Sequence, residues 1–196
     1  MADLAHEAVV DPKHQRERWI GVYIGVLAVV LAICTLGGGN AAKEATLKNI
    51  EAANTWSFFQ AKNLRRHILR TETDSLELVA LKDPALSADA RAAIMAKIAS
   101  YKEQDRQLTS DKKSNEGLDE LFERGKALEV ERDRAMQQDP YFDYGQALLQ
   151  IAIVLASVAI ISSGTAILVA SALAGLLGAV MTINGFTLLL DIPFLG

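Results

Sequence analysis

The stretch GQALLQIAIVLASVAIISSGTAILVASALAGLLGAVMTINGFTLLL, residues 145–190, runs for 46 residues without one Asp, Glu, Lys or Arg. As a single helix it would be about 69 Å long, more than twice the ~30 Å hydrocarbon core of a bilayer. It therefore reads as two apolar helices, residues 144–162 and 165–190, folded back at SSGT, residues 162–165. Such a run suits lipid, where a helix satisfies its own backbone polar groups. Upstream, Pro140 is expected to end the preceding helix. Asp143 and Gln146 have the spacing of a capping box for the next one, with Tyr141, Phe142 and Tyr144 as an interfacial belt. Asp191 and Pro193 close the last span, leaving residues 191–196 as a tail.

A third apolar run, WIGVYIGVLAVVLAICTL at residues 19–36, follows a tail of residues 1–18 that carries Lys13, Arg16 and Arg18. Trp19 and Tyr23 stand at its edge, where amphipathic rings settle. With two further spans behind it and only a weak cleavage site after it, this run reads as an uncleaved signal anchor. The flanking cations favour a cytoplasmic N-terminus, which puts residues 37–143 outside the cytoplasm. Small residues recur at helical spacing in these spans: Gly21 and Gly25, Ala152 and Ala156, then Ala170, Ala174 and Gly178. They are the candidate packing positions, since close backbone approach drives helix association in lipid. Gln146, Gln150 and Asn184 are the candidate pore-lining or interhelical polar groups.

The charge is segregated between these runs. Of the 20 Lys and Arg, 17 lie at residues 43–134, interleaved with most of the acidic residues. With a net charge of −4 and a middle that is not basic overall, the chain lacks the one-signed face of a nucleic-acid binder. Residues 41–82 contain no Pro or Gly and predict a helix about 60 Å long. Pro84 breaks it, Ser87 is the expected N-cap of the next helix, and Asp89 falls in its first turn. That second helix shows a three-four seam through Ile94, Ile98, Tyr101, Leu108, Leu118, Leu121, Gly125 and Leu128, interrupted near residues 110–117 by TSDKKSNEG. Gly37, Gly38 and Gly39 read as a flexible joint, and Arg70 with Asp74 as an exposed ion pair one turn apart. The fold class is thus all-α: three transmembrane helices plus an antiparallel helical hairpin, a coiled-coil-like stalk, at residues 37–143.

NTWSFFQAKNLRRHILR, residues 54–70, sets aromatics against a basic run. The acidic Glu72, Asp74 and Glu77 that follow offset the charge, so Trp56, Phe58, Phe59, Gln60 and Lys62 read as a packing surface for another copy or a partner helix. No enzyme motif is present: there is no P-loop, no G-x-S-x-G, no H-E-x-x-H and no cysteine pair. Cys34 reads as a small buried hydrophobe. His6, His14 and His67 lack a second ligand at helical spacing, so no metal and no cofactor is expected; Asp11 and Glu17 near His14 make at most a surface site.

EATLKNIEAANTWSFFQAKNLRRHI and GQALLQIAIVLASVAI resemble an uncharacterised bacterial family, described as a domain of unknown function, of small three-pass membrane proteins. The motif W-x-aromatic-aromatic-Q-A-K is met by Trp56, Phe58, Phe59, Gln60, Ala61 and Lys62. The resemblance implies architecture and bacterial origin, and no catalytic residues; the expected location is the bacterial inner membrane. The expectation is a non-enzymatic membrane scaffold or accessory subunit that self-associates or joins a larger complex, partnered by the bilayer and not by nucleic acid. The alternative is an oligomeric channel or transporter component.

Overall fold

The computed structural model describes residues 12–162, 164–190 and 192. Expectations for His6, Asp11, Asp191 and Pro193 fall outside the described residues. Within them the chain forms four helices and no strand: α1 Pro12–Lys82, α2 Ala88–Thr109, α3 Leu118–Ser162 and α4 Thr165–Thr187. Helices α1, α3 and α4 each contain a segment long and apolar enough to cross a membrane. The chain divides into two compact units, one of Met1–Ala45 with Asp133–Gly196 and one of Thr46–Arg132. They are called the apolar and the charged unit below.

Two expected breaks are absent. Helix α1 runs through Gly37, Gly38 and Gly39 without interruption. Packing explains why glycines are there: a Cβ at Gly37 would stand 2.5 Å from Phe142 Cε1 and 2.8 Å from Phe186 Cζ, and one at Gly38 would stand 3.0 Å from Phe142 Cβ. The three glycines are therefore no joint; two of them make room for rings. Likewise α3 continues through Pro140, although a proline cannot donate to the carbonyl four residues back, that of Met136. The two residues after it, Tyr141 and Phe142, are each 3% exposed, so tertiary packing holds the helix where local propensity would break it. It follows that Asp143 and Gln146 are mid-helix residues and no capping box. It also follows that Tyr141 and Phe142 are interior residues, with only Tyr144 facing outward at 54% exposure.

Other boundaries agree with the sequence. Ser87 caps α2 by accepting from the Ala90 N–H at 3.2 Å, and Asp89 lies in the first turn. Residues 110–117 form a turn between α2 and α3, with Asn115 in the left-handed region at φ 56°. Helix α4 stops three residues short of the expected end, at Thr187, where Leu188 adopts φ 50° and turns the chain. Asn184 fixes that turn with both amide atoms, donating to Leu190 O and accepting from Leu190 N, each at 2.8 Å. Tyr141 adds a third tie to Leu190 O at 3.0 Å.

Candidate interaction faces of the two units

In the apolar unit the interior sets a few large side chains among small ones. Leu27, Cys34, Ala41, Phe142, Leu149 and Ala152 form its buried cluster. On α1 the buried and half-buried positions Ile20, Ile24, Leu27, Leu31, Cys34, Gly38 and Ala41 alternate at intervals of four and three. This is the spacing that keeps one seam facing a neighbour along a long helix. On α4 the same alternation gives Ser171, Gly175, Gly178, Thr182 and Gly185, all buried. Helices α3 and α4 approach closely at Gly145 and Gly178. A Cβ at Gly178 would stand 2.8 Å from Leu149 Cγ and 3.0 Å from Gly145 O, and one at Gly145 would stand 3.1 Å from Thr182 Oγ1.

Tyr23, Ser171 and Thr182 in this interior are each hydrogen-bonded to a backbone carbonyl. Ser171 Oγ donates to Ala152 O at 2.7 Å, Tyr23 OH donates to Ser171 O at 3.0 Å, and Thr182 Oγ1 donates to Gly178 O at 2.8 Å. Cys34 is fully buried with Sγ 3.2 Å from Phe142 O. Tyr23 thus turns inward rather than joining Trp19, 68% exposed, at an outer edge. Asp139, near the start of this stretch of α3, is held protonated to higher pH than usual by burial and by the neighbouring Asp143 charge.

The sequence-selected packing residues divide. Ala152, Ala156 and Gly178 are buried between helices, and Ala174 packs against the core. Ala170 is exposed, and a Cβ at Gly21 or Gly25 would meet nothing within 4 Å. The polar candidates divide too. Gln146 Oε1 accepts from Thr35 Oγ1 at 3.4 Å, Asn184 is spent on Leu190, and Gln150 is exposed on α3. The α4 stripe of Ser171, Gly175, Thr182 and Gly185 follows alternating steps of three and four, which the uniform step of four through Ala170, Ala174 and Gly178 does not pick out.

In the charged unit, α2 and the first part of α3 run back along α1. Toward one end Arg91 Nη1 donates to Ala80 O and Lys102 pairs with Glu77 at 2.7 Å. Arg70 makes a two-point contact with Asp105 at 2.8 and 3.1 Å, so the expected Arg70–Asp74 pair is not what forms. Toward the other end Lys62 reaches Glu116, and Lys48 pairs with Glu131 at 2.8 Å. The seam residues Ile98, Leu118, Leu121 and Leu128 are buried.

Trp56 and Phe59 are consumed by this seam. The Trp56 ring meets Phe59 and Phe122 edge-on, each with centroids 5.6 Å apart, while its Nε1 donates to Glu129 at 3.0 Å. Gly125 admits the indole, since a Cβ there would stand 2.8 Å from the ring. Lys62 also lies over the Phe58 ring at 4.8 Å; Phe58 and Gln60 themselves stay exposed.

A second stripe on α1 packs against nothing among the described residues. Leu47, Ile50, Asn54, Ser57, Ala61, Leu64, Ile68, Thr71, Ser75 and Leu78 again alternate by three and four, and every one is exposed. None is charged, although charged residues occupy the faces on either side. Leu47 is 60% exposed, Leu64 63% and Ile68 55%. His67 is exposed beside it, and among the described residues no group of three His, Cys, Asp or Glu could hold a metal ion.

No curated protein and no solved structure gives a significant match to the chain. The model of a family described as a domain of unknown function, DUF4337, matches residues 16–188, and the chain belongs to that family.

Proposed function

We propose that the protein is an integral membrane scaffold or accessory subunit of the bacterial inner membrane, without a reaction of its own. The first part of α1, the last part of α3 and α4 cross the bilayer. The charged unit then lies on one side, outside the cytoplasm, with Lys13, Arg16 and Arg18 holding the N-terminus inside. The observation that carries this reading is helix continuity: α1 and α3 pass from the apolar into the charged unit without a break. Whatever the charged helices bind is thereby tied to helices suited to lipid. Purification from native membranes in mild detergent, followed by mass determination, is expected to give an oligomer or a larger complex. A monomer of 21.2 kDa with no companion would refute the scaffold.

One observation favours a second reading, an oligomeric channel or transporter component. Gln150 is exposed on an apolar helix, where an amide gains from a polar partner or from water in a pore. Flux through proteoliposomes that falls on Gln150→Leu would support it; no conductance would return the case to the scaffold.

A further inference from the structure

We propose that α1 of the charged unit pairs with α1 of a second copy, parallel and in register, through the exposed stripe from Leu47 to Leu78. This deepens the scaffold reading and rests on it, because two copies inserted alike in one membrane must run α1 in the same direction. The stripe has the requirements of a two-helix seam. Its spacing alternates three and four over the whole length, and its largest apolar members are exposed by half or more. A helix in water does not leave such a stripe free of charge by its own needs, since solvated faces gain from charge.

Register and direction are argued from the polar residues. Asn54 occupies a seam position of the kind that pairs with itself across a parallel dimer and penalises shifted alignments. Parallel alignment sets Gln60 near Arg65 of the second copy and His67 near Glu72, with no like-charged pair at the flanks. The antiparallel alignment that overlaps the full stripe instead sets Glu51 of each copy beside Glu72 of the other. Ser57 and Ala61 are small and let the backbones approach between the larger Ile50 and Leu64.

The test uses the full chain in native membranes with Cys34→Ala as background. Ser57→Cys lies on the stripe, and Asn49→Cys is an exposed control on another face. On mild oxidation Ser57→Cys is expected to give a disulfide-linked dimer and Asn49→Cys none. Adding Leu64→Glu and Ile68→Glu, both at exposed positions, is expected to abolish the Ser57→Cys dimer while the far-ultraviolet spectrum stays helical. Equal dimer from both cysteines, or none from Ser57→Cys, overturns the pairing. If that happens while the parent chain still purifies as an oligomer or in a complex, the pairing alone fails. A lone monomer together with no crosslink refutes the pairing and the scaffold.

Discussion

Gly178 stands where α4 meets Leu149 and the backbone of Gly145 on α3, and a single methyl group there has nowhere to go. Gly178→Leu is expected to destabilise the apolar unit by about 1–3 kcal/mol, the range for overpacking a filled interior. Gly21→Ala, which meets open space, should leave the melting temperature in detergent unchanged or raise it slightly, as Ala is the better helix former. In the charged unit Trp56→Ala removes a half-buried ring packed on Phe59 and Phe122 and is expected to cost about 3 kcal/mol, the low end for such truncations, in chemical denaturation. Trp56 was legible in the sequence as a contact residue. Its ring partner Phe122 was not, because it is distant in sequence and lies off the three-four seam, although Gly125, which admits the indole, lies on it. Asp139 carries a pH signature. Its carboxyl is raised above 3.8 in the folded chain by burial first and the Asp143 charge second. The folded state thus gains while the group is protonated, and that gain is lost as pH rises through the raised value. Asp139→Asn is expected to raise the melting temperature near pH 7, with the difference vanishing toward about pH 3.

Helix continuity is the main lesson among the elements. Glycine and proline are the strongest local breakers, so Gly37–Gly39 and Pro140 read naturally as boundaries. Both are overridden by Phe142, whose ring fills the space the glycines leave and whose burial fixes the helix just past the proline. Pro140→Ala restores a donor for the Met136 carbonyl and is expected to stabilise the protein by up to about 3 kcal/mol, read as a higher melting temperature. A fall would mean that the proline shapes α3 in a way continuity does not require. Where packing did not intervene, local chemistry was enough. Ser87 before an apolar-periodic run, Pro84 after α1 and the polar residues 110–117 all mark the ends that form. The exposed stripe on α1 was hidden for a different reason: its apolar members are diluted by Asn54, Ser57, Thr71 and Ser75. Only the burial of the opposite seam shows that the stripe is left over.

For the whole molecule, the uncharged residues 145–190 and 19–36 made the helical, membrane-suited class readable, because lipid imposes length and composition directly. The chemistry of binding was less readable, since recognition through helix faces leaves no short motif in a sequence. The most direct test is sidedness. In the Cys34→Ala background, Asp74→Cys and Gly164→Cys can be probed with a membrane-impermeant maleimide on intact spheroplasts and again after the membrane is opened. The account predicts that Asp74→Cys labels in intact spheroplasts and Gly164→Cys only after opening, which places the charged unit and the α3–α4 turn on opposite sides. Equal labelling of both positions before opening would contradict it.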